Sequence, residues 1–323
     1  RPGVTRLIAQ KVALALITLA FVLTFNFFLF RAVGDPRDDL LRVPHMSAPE
    51  RAHLIHARGL DRSELDQYGI YVRNTLSGQL ETSYHSGRPV TDVIGEALPN
   101  TLILALPATL LAALLGTWMG IISARRRGGT ADGALTGSAL TLYSMPEQFL
   151  AIVVVLVFSI WLKAFPSQLS EEPGSSATGL SHVWDVTQHA VLPVLTLTAS
   201  ILASWSLIMR ASLTETMHAD YMTTARAVGL SPRRAVLRHA VPNALLPVIA
   251  LTAISLGYVV GGVIFIESVF SWPGIGQLTY DALLNRDLPV LQGVFLLTSA
   301  AVILLNLVAD LVIMALDPRV RAT

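Results

Sequence analysis

Residue types that carry chemistry are few in this chain and rarely cluster. It has no cysteine, which excludes disulfides, thiolate metal sites and cysteine nucleophiles. A phosphate-binding loop needs a lysine followed by serine or threonine, to hold phosphate and magnesium. The two lysines, Lys11 and Lys163, are followed by Val12 and Ala164, so ATP hydrolysis of that type is not the chain's own. The eight histidines (His45, His53, His56, His85, His182, His189, His218 and His239) fall in polar segments, at a helix start or in a basic loop. None pairs with a buried serine as an intramembrane hydrolase requires. His53 and His56, at i and i+3, share a helix face and form a candidate metal pair, although two solvated histidines are the commoner case. Two acids interrupt apolar runs: Glu147, with Gln148 beside it after Met145-Pro146, and Asp310. Ionisable groups so placed mark substrate or ion pathways. Asp310 is expected to be a helix-end residue that pairs with Arg319 or faces water.

The elements that must position these residues are apolar. Of 323 residues 53% are hydrophobic and 14% charged, and mean hydropathy is +0.58, more apolar surface than a soluble core uses. Runs of about 20 apolar residues, enough to cross a ~30 Å hydrocarbon layer, predict about six spanning helices in an all-α polytopic membrane protein. The first lies within residues 1–30, and the others run over about 99–124, 134–162, 188–210, 243–267 and 290–314. The first run is too long, and lacks a small-residue cleavage site, for a signal peptide, so a retained anchor is expected. Gly257, Gly261 and Gly262 are expected to let the fifth helix pack closely.

Residues 31–98 read as a small extracytoplasmic subdomain, with an amphipathic helix near Ala48 to Leu60 and turn-rich sequence from Tyr84 to Pro89. Arginine placement sets the orientation. If the N-terminus is cytoplasmic, the inner segments hold Arg1, Arg6, Lys11, Arg125 to Arg127, Arg210, Arg226, Arg233, Arg234, Arg238, Arg319 and Arg321. The short outer loops hold only Lys163 and Arg286. Both termini, including the tail 315–323, are therefore expected in the cytoplasm.

The most informative segment is the loop 211–242, above all Asp220 to Pro242. Asp220 to Val228 is helix-compatible, Gly229 suits the left-handed position that closes a helix, Ser231 suits an N-cap and Pro232 a first helical position. A basic helix pair follows, with Arg226, Arg233, Arg234 and Arg238. Anionic lipid would satisfy those cations, but Thr223, Thr224, Ala225 and Ala227 are too small for a lipid anchor, so docking into a protein groove is preferred.

In spacing, Ala225, Val228, Gly229 and Pro242 resemble the Glu-Ala-Ala, Gly and Leu-Pro positions of the signature loop in type I ABC importer permeases. Thr223 and Thr224 stand where that family has Glu and its first Ala, His239 stands at its Ile position and Val241 at its Leu position. Glu267 to Gly276, Arg286 to Pro289 and Asp317 to Arg319 resemble the closing blocks of the dipeptide, oligopeptide and nickel permeases. Val33-Gly-Asp-Pro36, Gly59-Leu-Asp61, Gln67-Tyr68 and Arg88-Pro-Val90 resemble the first, B-type subunit of that group, with Gly78 to Ser83 replacing a more glycine-rich stretch.

The resemblance implies the type I ABC importer transmembrane fold over 97–314. It also implies a non-catalytic permease subunit in a prokaryotic inner membrane, importing di- or oligopeptides or related small molecules. The implied partners are a homologous C-type permease, two cytoplasmic ATPases that use ATP and magnesium, an external substrate-binding protein and membrane lipid, with no nucleic acid and no cofactor bound directly. Thr223, Thr224, Ala225, Arg226, Ala227, Gly229, Leu230 and Pro242 would then meet the ATPase, with Glu147 and Gln148 in the translocation pathway. A proton- or ion-coupled secondary transporter is the alternative.

Overall fold

The computed structural model describes residues 2–34, 47–57, 59–174, 178–261 and 263–316. Its elements, in order, are α1 (Pro2–Val33), α2 (Ala48–Ala57), α3 (Glu64–Leu76), α4 (Val90–Arg125), α5 (Thr130–Ser144), α6 (Glu147–Val154), α7 (Leu180–Met217), α8 (Asp220–Ala227), α9 (Pro232–Ala235), α10 (Val241–Tyr258), α11 (Ile264–Val269), α12 (Ile275–Leu284) and α13 (Leu288–Leu316). Wide π-helical turns extend α6 through Val155–Trp161 and join α9 to α10 through Val236–Ala240. No β-strand is present among the described residues, only one isolated bridge between Thr82 and Pro89. In hydrocarbon a helix satisfies every backbone group internally, and this architecture does so.

Among the described residues five helices are long and apolar enough to span, six if the bent pair α5 and α6 counts as one span. The run expected as one helix over 134–162 is two: α5 and α6 meet at 104°. Pro146 has no N–H to donate and pushes the residue before it out of the helical region. Met145 accordingly sits at φ −78°, ψ 135°. The run over 243–267 is also interrupted, with α10 followed by a 3-10 turn Val259–Gly261, non-helical Val263 and then α11. Gly261 would carry a Cβ into open space, so close packing is not its role. Gly262, Asp35, Pro36, His45, Arg58 and Asp317 to Arg321 lie outside the described residues.

The chain divides into two compact units, Arg1–Pro99 with Gly274–Thr323, and Asn100–Pro273. In the first, α1 lies along α13. Asn26, fully buried, donates from Nδ2 to the Gln292 carbonyl at 3.2 Å and to the Tyr71 hydroxyl of α3 at 3.1 Å. Phe27 packs against both Tyr68 and Tyr71. Lys11 pairs with Asp310 at 2.7 Å, so Asp310 is already matched along the α1–α13 seam. Val90, Ile94, Ile275, Ala282, Val290 and Val294 form the unit's apolar core.

An acidic clasp fixes the turn that precedes α4. The buried Asp287 carboxylate accepts from the Ser83 hydroxyl and from the backbone N–H groups of Tyr84 and His85, both at 3.1 Å. Outside the spans, His56 Nδ1 stands 2.8 Å from Asp61 and holds that carboxyl below its usual range, so His56 already has a partner. A cavity of ≈ 260 Å³ in this unit is lined by Phe27, Arg31, Gln67, Tyr71, Asn74 and Gln292, among others.

In the second unit α7 is the central helix. Leu202, Ala203, Trp205, Met209 and Leu213 bury one stripe of it, and Leu192 and Leu197 another. Gly116 and Gly120 of α4 allow the closest approach. A Cβ on Gly120 would stand 2.6 Å from the Ser206 carbonyl oxygen, and one on Gly116 2.7 Å from that of Leu202. This is a small-xxx-small contact, in which backbones touch because no side chain intervenes.

Candidate functional site: the turn between the fourth and fifth spans

The segment joining α7 to α10 is built from local chemistry. Met222, 1% exposed, anchors α8 into a cluster that includes Leu213, Ala235 and Ala240. Helix α8 closes as its sequence dictates: Gly229 adopts φ +86°, and the Leu230 N–H reaches back to the Ala225 carbonyl at 3.3 Å, the 6→1 bond of a Schellman motif. Ala225 and Leu230 are partly buried against the same cluster, the apolar contact that accompanies this turn. A Cβ at Gly229 would meet nothing within 4 Å, so the requirement for glycine is conformational, not steric.

Pro232 takes the first turn of α9, and Ser231 occupies the N-cap at φ −60°, ψ 146° without a side-chain capping bond. Thr223, Thr224, Ala227, Val228 and Gly229 are exposed, as are Arg233, Arg234 and Arg238. Of the residues expected to act together, the structure therefore leaves Thr223, Thr224, Ala227 and Gly229 open and turns Ala225 and Leu230 inward. Arg226 belongs to α8, and Pro242 stands exposed at the start of α10, beyond the π turn.

That π turn has a specific cause of stability. A π turn disturbs the regular i→i−4 ladder, and Asn243 Nδ2 donates to the His239 carbonyl at 2.7 Å, supplying a side-chain donor there. Trp205 Nε1 donates to Thr252 Oγ1 at 2.9 Å, tying α7 to α10 about two and a half turns further on.

Beside this segment lies an ionic cluster that the sequence did not announce. Arg210, near the end of α7, grips Asp132 at the start of α5 with Nε to Oδ1 at 2.7 Å and Nη2 to Oδ2 at 2.8 Å. Ser123 of α4 donates to the same carboxylate, and the Gly128 N–H donates to Oδ2 at 2.9 Å. A bidentate guanidinium–carboxylate pair fixes geometry as well as charge. It locks the basic turn 125–127 and α5 onto α7. Arg210 had been read only as an inner-side cation, because its partner is 78 residues away.

Glu147 and Gln148 open α6 at the break in the third span, both half-buried. Glu267, completely buried, accepts from Thr101 Oγ1 at 2.9 Å. Trp272, also completely buried, donates from Nε1 to the Asn100 carbonyl at 2.9 Å. The motif from Glu267 to Gly276 thus carries two buried side chains that bond the start of the second span.

An all-α span set with a structured, exposed helix pair between two spans defines a polytopic membrane protein, and comparison with known proteins gives its family. The chain belongs to the family of binding-protein-dependent transport system inner membrane components, whose model matches residues 116–322. It is 33% identical over 336 residues to the di/tripeptide transport system permease protein of Pseudomonas aeruginosa, covering 97% of this chain and 98% of that one. To the glutathione transport system permease protein of Escherichia coli it is 34% identical over 313 residues, covering 96% and 97%. Among solved structures, inward facing conformations of the MetNI methionine ABC transporter align with a TM-score of 0.56 at 17% identity, over 70% of this chain and 96% of that chain. The fold is that of the type I ABC importer membrane subunit.

Proposed function

We propose that this chain is the B-type permease subunit of an ATP-driven importer of di- or oligopeptides or related small molecules. It forms half of the translocation pathway beside a homologous C-type permease. Two cytoplasmic ATPases supply the energy, using ATP and magnesium, and an external substrate-binding protein delivers the cargo. Both termini and the tail 315–323 face the cytoplasm of a prokaryotic cell, residues 31–98 face outside, and 97–314 carry the transport fold.

The observation that supports this best is the exposed small-residue surface of α8, ending in the left-handed Gly229. A short helix fixed at one side by Met222 and open at the other fits a groove in a partner. In this mechanism the ATPases close on Thr223, Thr224, Ala227 and Gly229. The helix pair then moves as one lever and reorients α7 and α10. Arg226 supplies a polar anchor at the contact, Ala225 and Leu230 brace the turn from behind, and Pro242 starts the helix that receives the motion.

The test is Gly229→Val in the assembled complex. A β-branched residue at φ +86° is strained by about 1–2 kcal/mol or more, so the turn opens. Uptake per ATP hydrolysed should fall about tenfold, the equivalent of that strain. Normal uptake with unchanged ATPase stimulation would refute the lever.

A further inference from the structure

Glu147 is the first residue of α6, directly after the Pro146 break. Helix α5 is about 22 Å long at 1.5 Å per residue, against a ~30 Å hydrocarbon layer. A carboxylate there needs a partner. Elsewhere in the spanning helices Asp132 is held by Arg210, Asp310 by Lys11, and Glu267 accepts from Thr101. Among the described residues the half-buried Glu147 side chain has neither an ion pair nor a hydrogen bond. It lies at i to the buried Leu150 and Ala151 at i+3 and i+4, so it shares the packed face of α6 and does not point along the lipid-facing side of Phe149 and Ile152.

The start of α6 presents backbone donors to this group. Pro146 at the N-cap provides no side-chain acceptor, so the first N–H groups of α6 leave their positive end of the helix dipole beside the Glu147 carboxylate. That potential explains why an acid is tolerated at this place. It leaves the outer side of the half-buried carboxyl without a cation.

We infer that Glu147 is a cation-recognising group of the transport pathway, which accepts the ammonium of a substrate bearing a free primary amine, such as a peptide N-terminus. This rests on the importer function proposed above. An ammonium has three donors and no acceptor. It complements a carboxylate oxygen at a helix break, where backbone irregularity lines binding sites in discontinuous-helix transporters. Recognition is charge-assisted and transient. The peptide's amine gains a partner at the narrowest loss of hydration and gives it up as it moves on.

The experiment uses the complete complex with its binding protein in proteoliposomes. The probes are Ala-Ala and N-acetyl-Ala-Ala, each at a concentration that saturates the binding protein by a measured Kd. The wild type should import the free amine about tenfold faster per ATP, the loss expected for one charge-assisted hydrogen bond. Glu147→Gln should bring the two rates within about threefold of each other, with an unchanged melting temperature, and Glu147→Asp should restore selectivity. An unchanged ratio in Glu147→Gln overturns the inference. Equal loss of both peptides with a lower melting temperature also overturns it, and makes Glu147 a helix-start residue or a contact for a cation of the neighbouring permease. If the wild type imports neither peptide, the importer function fails first and the inference fails with it. That result differs from the others because the unmodified complex is silent.

Discussion

Replacing Gly120 by alanine sets two well-known effects against each other. In a helix interior, Gly→Ala stabilises by about 0.5–1 kcal/mol through backbone entropy. At Gly120 the added Cβ would lie 2.6 Å from the Ser206 carbonyl oxygen, 2.7 Å from Met209 Cβ and 3.0 Å from the Arg210 nitrogen. Two of those three atoms are backbone, so no rotamer change relieves the contact, and α4 must retreat from α7 by about 0.5–1 Å, enough to forfeit a quarter to a half of each dispersion contact along the seam. Overpacking of this kind costs about 1–3 kcal/mol. The net expectation for Gly120→Ala is a loss of about 1–2 kcal/mol, after the entropic gain is subtracted.

Gly137 in the interior of α5 supplies the control, since a Cβ there meets nothing within 4 Å. Gly137→Ala should stabilise by about 0.5–1 kcal/mol. Thermal unfolding of the purified chain in one detergent, with both variants measured side by side, reads the difference as opposite shifts in melting temperature. If Gly120→Ala shifts the same way as Gly137→Ala, the close-contact reasoning is wrong.

Three further outcomes are expected. Asp287→Ala removes the acceptor for the Ser83 hydroxyl and the Tyr84 and His85 amides. It should cost about 2–4 kcal/mol, and it should speed hydrogen exchange at those two amides by at least about tenfold. Unaltered exchange would show that the clasp is not what holds the turn. Lys11→Met and Asp310→Leu, measured singly and together, should give a coupling energy of about 1 kcal/mol. That is the upper end for a pair whose partners are 44% and 42% exposed, and additive losses would remove the pairing. Trp205→Phe should cost about 1.5–3 kcal/mol, since it removes a donor and leaves a cavity in the core, while Thr252 keeps its own bond to the Val248 carbonyl at 2.8 Å. A loss under about 0.5 kcal/mol would show that neither the bond nor the packing of the indole holds α7 to α10.

What was legible in the sequence was local or one-dimensional. Apolar run length gave the all-α span set, since a helix is the way a single segment satisfies its backbone in lipid. The left-handed Gly229 and the Pro232 helix start were readable because a glycine's φ range and a proline's missing N–H act within a few residues. Direction was not legible. Hydropathy sums residues regardless of bending, so 134–162 reads as one span in which Met145-Pro146 signals a kink but not its 104° angle. Long-range pairing was not legible either. Asp310 meets Lys11 across 299 positions, and Arg210 meets Asp132 across 78. Glycines drew attention in the fifth span, yet the close approach is made by Gly116 and Gly120, whose four-residue spacing matched the motif but whose partner helix lies 80-odd residues on.

The Asp132–Arg210 clasp also has a consequence in time. A ribosome releases the carboxylate first and its guanidinium 78 residues later, an interval of about 4–16 s at roughly 5–20 residues per second. Throughout that interval the nascent chain carries Asp132 with Ser123, Thr136 and the Gly128 amide to hold it but no cation. The turn after α4 therefore acquires its final form when the end of α7 emerges, and a chain arrested before residue 210 lacks the pair that fixes α5.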